Sequence, residues 1–377
     1  MSDITYTNGI IFHQGKFMQG GFRVSNGRFV SVFTDGQADE TAIDLNGQYV
    51  IPGLVDIHIH GCFGDDFSDG NPEGIHRMSR NLARLGITSF LPTTMTLDEE
   101  QYIRIAEALN EAINSAGDDS ARILGMRMEG PFLSEEKKGA HAAVCLQKPN
   151  LELFHAVQTV SEGRLRIIDI APEIENALPF IQKASRDSLV SLAHTNATYE
   201  EALTAFHEGA KHVTHLFNAM RPLRHRDPGV IAALFDSPDI TTEIIGDGIH
   251  VHEPMVRLAY RECKGRICLI SDALRCMGEK DGKYNLAGEI VTLENGVARL
   301  SDGTIAGAAL SVYDTLLNII SMGIPVEEAI LSATSIPAKV LGNDNIGEIA
   351  EGKFADFIVC DAKINRRSVT LGGLQIS

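Results

Sequence analysis

The sequence predicts an α/β fold: a (β/α)8 TIM barrel carrying a small β-sandwich domain built from both ends of the chain. Three observations point there. Between Val50 and about Leu341, short apolar runs alternate with longer amphipathic segments. Eight of those runs read as strands, the number that closes a barrel, within a span close to the roughly 250 residues typical of one. Outside that span, both ends of the chain are rich in β-branched and aromatic residues, with Asn-Gly pairs suited to tight turns.

Taken in order, strands are expected over 4–12, 22–24 and 29–33, with turns at Asn8-Gly9, Asn26-Gly27 and Asn46-Gly47, where positive φ is needed. The barrel strands are expected at 53–60, 87–93, 123–129, 165–171, 189–194, 212–216, 240–245 and 267–272. Thr96 with Glu99, and Thr198 with Glu201, fit the capping box that opens a helix. Residues 279–302, around Asn295-Gly296, read as a β-hairpin elaboration after the eighth strand. The stretch 347–361 returns to β character. The small domain is therefore expected to take 1–52 and 343–377, and the barrel 53–342.

Composition narrows the function. The chain has 377 residues, 44% of them apolar, which excludes a wholly disordered protein. With 33 Lys and Arg against 50 Asp and Glu the formal charge is −17, which disfavours nucleic acid and anionic membrane as partners. A small anionic substrate needs only a few local cations. Uncharged runs reach about a dozen residues, short of the roughly 18 that span a bilayer. The start of the chain lacks the basic-then-apolar pattern of a secretory signal. Cys62, Cys145, Cys263, Cys268, Cys276 and Cys360 include no C-x-x-C pair, so reduced thiols in a cytoplasmic protein are expected, not a thiolate metal site.

The chemistry is carried by polar residues at strand ends. His58-Ile59-His60 ends the first expected strand, and alternation puts both imidazoles on one face. Glu129 closes the third expected strand, His194 the fifth and Asp272 the eighth, while His215 lies near the end of the sixth. In a barrel these positions ring the C-terminal mouth, where barrel enzymes place their active sites. Four imidazoles and two carboxylates there suit zinc, iron or manganese. His212 is expected on the opposite face from His215, and His250-Val251-His252 is expected to face substrate or to be structural. The loop 221–226 places Arg221, Arg224 and Arg226 beside His225, a cluster suited to phosphate.

These residues reach a family. Pro52-Gly-Leu-Val-Asp-Ile-His-Ile-His-Gly61 resembles the first-strand motif of the amidohydrolase superfamily. Met128-Glu-Gly-Pro-Phe132, Lys138-Gly-Ala-His141, Ala193-His-Thr-Asn-Ala197, Thr214-His-Leu-Phe-Asn-Ala-Met220, Asp247-Gly-Ile-His250 and Ser271-Asp-Ala273 resemble its N-acetylglucosamine-6-phosphate deacetylase family, over essentially the whole chain. The resemblance implies hydrolysis of the acetamide of that sugar phosphate, in amino-sugar catabolism or cell-wall sugar recycling. It implies one or two divalent metals, Zn2+ or Fe2+, held by His58, His60 and Asp272 and by His194 and His215, with Glu129 between them. A cation lowers the pKa of bound water to roughly 7 and so supplies a hydroxide nucleophile. Asp272 is then the general base and acid, and His141 stabilises the carbonyl. Asn218, Ala219, Arg226 and His250 are implied to bind sugar and phosphate, in a homodimer whose Arg226 reaches the neighbouring site.

The alternatives are deacetylation of N-acetylgalactosamine 6-phosphate, which differs by one hydroxyl inversion, and a non-catalytic scaffold, against which the full set of ligands and base argues. A nucleobase deaminase or cyclic amidase on the same barrel is disfavoured by the arginines and by Glu129, where many cyclic amidases use lysine.

Overall fold

The computed structural model describes residues 3–34 and 41–377; residues 1–2 and 35–40, which the expected small domain includes, lie outside the described residues. The barrel strands are β1 (Leu54–Ile59), β2 (Ile87–Thr94), β3 (Met126–Phe132), β4 (Leu165–Ile170), β5 (Leu189–Leu192), β6 (His212–Val213), β7 (Thr241–Ile245) and β8 (Ile267–Ile270). Each pairs in parallel with the next, from β1 through to β8. An isolated parallel bridge between Ile59 and Ala273 brings the chain after β8 back to β1. β1, β2 and β3 are buried along their whole length, as expected of strands with side chains inside a barrel and helices outside.

Helices separate successive strands, beginning with Pro72–Arg84 and Glu99–Asn114, and three more, Val312–Ser321, Val326–Ser332 and Ser335–Val340, follow β8. The expected capping box at Thr198 and Glu201 opens the helix Tyr199–Glu208. The one expected at Thr96 is displaced: Asp98 caps Glu99–Asn114, with Gln101 as its reciprocal partner. The Thr96 hydroxyl is instead taken up by His141 and the Glu129 carbonyl.

Strand ends differ from expectation in an informative way. β3 runs on to Phe132, so Glu129 sits within the strand instead of closing it. β5, β6 and β8 stop before His194, His215 and Asp272, whose φ values are +43°, +25° and +50°. A left-handed residue cannot continue a β-ladder, so the chain leaves the sheet and turns these three side chains across the mouth.

The ends of the chain form a separate sheet. Its order runs from Leu374–Gln375 through Arg366–Leu371, Phe357–Cys360, Tyr49–Pro52, Ile4–His13 and Lys16–Ser25 to Arg28–Thr34. The two termini meet where Phe357–Cys360 pairs antiparallel with Tyr49–Pro52. Tyr6, Phe22, Phe29, Val50 and Phe357 give this sheet its own core. Asn26-Gly27 makes the expected two-residue hairpin, with φ +49° and +75°. Asn8-Gly9 does not turn: Asn8 has φ +56° inside Ile4–His13 and marks a bulge, where the register shifts between Tyr6 and Gly9. The elaboration after β8 is a four-stranded antiparallel sheet, with Asn295-Gly296 at one of its turns. Among the described residues, no helix is long and apolar enough to cross a membrane.

Candidate metal centre and catalytic pocket

Six of the expected residues converge at the barrel mouth. Oδ1 of Asp272 lies 3.5 Å from Nε2 of His58 and 3.3 Å from Nε2 of His60. Across from it, Oε1 of Glu129 lies 3.1 Å from Nε2 of His194 and 3.0 Å from Nε2 of His215. The other Glu129 oxygen faces His60 at 3.1 Å, His141 at 3.4 Å and His58 at 3.5 Å. Glu129 therefore stands between two donor groups, one of His58, His60 and Asp272 and one of His194 and His215. His141 closes the same constellation from the loop after β3.

Hydrogen bonds behind the rings decide what the rings offer in front. Nδ1 of His194 is 2.8 Å from the Lys137 carbonyl, which can only accept, so Nδ1 carries the proton and neutral Nε2 presents a lone pair. Nδ1 of His58 is likewise 3.0 Å from the Glu243 carboxylate. Its Nε2 is buried and has no hydrogen-bond partner among the described residues. Nε2 of His194 and Nε2 of His215 lie 3.2 Å apart, both directed at one carboxylate oxygen. The lone pair of His194 Nε2 therefore faces a carboxylate in a buried site, which is costly unless a proton or a cation stands between them. Nitrogen and oxygen donors of this kind suit zinc or iron(II), and the donor atoms of His58, His60 and Asp272 lie within 4.8 Å of one another.

The electrostatics agree. Burial and Arg127 depress His58, but Glu129, Asp272 and Glu243 outweigh them and hold its imidazolium form well above the ordinary range. Burial opposes charge on His60 too, yet Asp272 and Glu129 raise it to about 9. Burial works to raise Glu129 and Asp272, but both stay ionised because the neighbouring histidines lower them. The site favours positive charge. His141 runs the other way, pushed down to about 4 by burial and by His194.

Above these groups opens a cavity of about 460 Å³, lined by His60, Glu129, His141, His194, His215 and Asp272, and also by Asn218, Ala219 and His250. His250 Nδ1 is held by Asp247 at 2.6 Å; burial works against a charge there, but the Asp247 hydrogen bond raises the imidazole. His252, its companion in the second His-x-His, is exposed at the start of the helix Glu253–Glu262. Arg226 does not line this cavity; it is exposed on the loop after β6, whereas Arg221 is tied to Asp227 and to the Asn196 carbonyl. His212, expected to face away from His215, bonds to Glu243 at 3.1 Å, because β6 ends at Val213 and strand alternation ends with it.

Sequence reading gave Thr96 to a helix cap and passed over the buried residues beneath the site, Arg127, Asp169 and Glu243. One partial signal was present: a charged residue in a buried strand, such as Glu243 before Ile244 and Ile245, needs a buried partner, but nothing local says which.

Fold and site together define a hydrolase whose barrel mouth carries His, Asp and Glu groups that could hold metal, and residues 49–373 match the amidohydrolase family. The chain belongs to that family, whose members generally depend on metal. It is 37% identical to the N-acetylglucosamine-6-phosphate deacetylase of Vibrio furnissii, over 86% of this chain and 82% of that one. It is 32% identical to the N-acetylgalactosamine-6-phosphate deacetylase of Escherichia coli O157:H7, over 88% of each. Its structure is similar to that of N-acetyl-D-glucosamine-6-phosphate deacetylase from Mycobacterium smegmatis in complex with N-acetyl-D-glucosamine-6-phosphate, with a TM-score of 0.94, 28% identity and full coverage of both chains.

Proposed function

We propose that this protein hydrolyses the acetamide of N-acetyl-D-glucosamine 6-phosphate to D-glucosamine 6-phosphate and acetate, as a metal-dependent deacetylase. The observation that carries the reading is the convergence of His58, His60, His194 and His215 on Glu129 beside Asp272, on the wall of a cavity of about 460 Å³. His58, His60 and Asp272 would hold one zinc or iron(II) ion; His194 and His215 would hold another, with Glu129 shared. When bound, such an ion lowers the pKa of water and polarises the amide carbonyl.

The chain's own groups supply the rest. Asp272, ionised in the folded protein, takes a proton from the attacking water. The water oxygen bonds to the acetamide carbon, the C–N bond breaks, and Asp272 returns the proton to the departing amine. His141, neutral and protonated at Nε2, donates to the oxygen on which negative charge grows. The Asn218 and Ala219 backbone and His250 position the sugar phosphate. Because Arg226 lies outside its own cavity, we assign it to the phosphate in the site of a second copy, in a homodimer. The six cysteines are all free thiols, which supports a reducing cytoplasmic setting. The functional division we infer sets a barrel of 53–342 against a small domain of 1–52 and 343–377.

A second reading, the galactosamine epimer, is favoured by the relative from Escherichia coli O157:H7. Acetate release separates the readings: purified protein with zinc or iron(II) is given each N-acetylhexosamine 6-phosphate and unphosphorylated N-acetylglucosamine. Release from the glucosamine derivative is expected to dominate. A preference for the epimer selects the second reading, and no release from either phosphate overturns both.

A further inference from the structure

Beneath the metal centre a fully buried carboxylate, Glu243 of β7, is bonded to both halves of the donor set at once. One of its oxygens, Oε2, lies 3.0 Å from Nδ1 of His58 and accepts the main-chain N–H of His215 at 3.2 Å. The other, Oε1, accepts from Arg127 and lies 3.1 Å from Nε2 of His212. A carboxylate offers about four lone-pair positions and no donor, so all four directions are filled by N–H groups. Two consequences follow. Glu243 holds the Nδ1 proton of His58, so Nε2, which faces Asp272 and Glu129, is the ring nitrogen that would give up its proton to a metal. His215 is held at φ +25°, a strained backbone that persists only where surrounding bonds over-determine it.

Arg127 anchors the hub. It is itself fully buried, its guanidinium forking onto Asp169 with bonds of 2.9 Å each while also reaching Glu243 and the Thr214 hydroxyl. Removing the charge from Glu243 would therefore disturb both halves of the donor set from below without touching substrate.

We infer that Glu243 is a positioning residue that couples the two halves of the metal centre, orienting His58 through its ring and His215 through its main chain. This rests on the reading of His58 and His215 as metal ligands, and the test separates the two claims. Zinc binding to metal-stripped protein is measured by calorimetry for wild type and for Glu243→Gln, with folding followed by circular dichroism. Loss of a partner behind a ligating histidine typically costs 10- to 100-fold in metal affinity. A loss of that size in a folded Glu243→Gln protein, with both binding events weakened where two are seen, is the expected result. Unchanged zinc affinity overturns the role of Glu243 while leaving the metal centre standing. A wild type that binds no zinc overturns the metal reading and this inference together. Should Glu243→Gln fail to fold, zinc-loaded wild type labelled with 15N-histidine decides: His58 is expected to show its proton on Nδ1, and a proton on Nε2 overturns the assignment.

Discussion

The main-chain N–H of Thr96 lies 3.2 Å from Nδ1 of His141, and the Thr96 hydroxyl lies 2.8 Å from the same nitrogen. A main-chain N–H can only donate, so Nδ1 of His141 is an acceptor and the proton of the neutral ring sits on Nε2. Nε2 is the atom that faces Glu129, at 3.4 Å, beside the cavity. With the ring pushed down to about 4 by burial and by His194, His141 is a neutral donor throughout the physiological range. That is the form a carbonyl-stabilising group needs.

On the proposed mechanism, replacing His141 with Ala removes one preorganised donor from the growing oxyanion. Such losses cost about 10²–10³ in kcat. Zinc content is expected to stay near that of the wild type, since His58, His60, Asp272, His194 and His215 remain. Steady-state acetate release with parallel metal analysis checks both; a kcat within tenfold of wild type would remove His141 from the chemistry. Thr96→Val is the companion, because it deletes the hydroxyl but keeps the main-chain donor; a single neutral hydrogen bond is worth about 0.5–1.5 kcal/mol, so kcat is expected to change by no more than about tenfold.

Asp272→Asn separates proton transfer from ligation. The amide retains an oxygen toward His58 and His60 but cannot accept the proton of the attacking water. General base catalysis contributes about 10²–10⁴, so kcat is expected to fall by that factor while metal stays largely bound. Unchanged turnover would take Asp272 out of the mechanism.

The barrel was legible because eight apolar runs and their spacing survive any detail of geometry. Residues His58 and His60 were legible too, because strand alternation alone puts them together. What could not be read were the ends of β5, β6 and β8. Strand pattern carries through His194, His215 and Asp272, whereas their left-handed backbones leave the sheet before them. The hidden carboxylate Glu243 and its partner Arg127 were missed for another reason: contacts across 116 residues of sequence leave no local periodicity. Thr96 was misassigned because a helix cap and a hydrogen bond to a distant histidine use the same hydroxyl. Local chemistry favoured the cap, and tertiary contact took it.

Arg226 tests the phosphate reading from outside the cavity. Arg226→Ala is expected to raise KM for the phosphorylated sugar by tenfold or more, since a charge-assisted hydrogen bond is worth about 1.5–3 kcal/mol. KM for unphosphorylated N-acetylglucosamine is expected to move little. An equal effect on both substrates would make the arginine structural. Sedimentation of the wild type supplies the other half of the test, because the proposed route takes Arg226 into the site of a second copy; a monomer at assay concentration excludes that route.

Asp56 links the site to stability. It lies in β1 two residues before His58, fully buried, with one oxygen accepting the main-chain N–H groups of His58 and Ser271 at 3.3 Å each. Its other oxygen has no hydrogen-bond partner among the described residues. Burial raises its carboxyl to about 6, against the lowering effect of Ser271 and His58. The unfolded chain titrates near 3.9. Between those values the folded protein holds a proton that the unfolded chain has released, so stability falls as pH rises through the window and levels off above about 6. Over roughly two pH units the loss is about 3 kcal/mol. Asp56→Asn keeps the accepting oxygen but cannot ionise, so its stability relative to wild type is expected to increase by about that amount between pH 4 and pH 7. Urea unfolding of both proteins, stripped of metal so that no cation on His58 intervenes, measures the difference at each pH. A difference that stays constant across the window would show that Asp56 ionises without cost in the folded barrel.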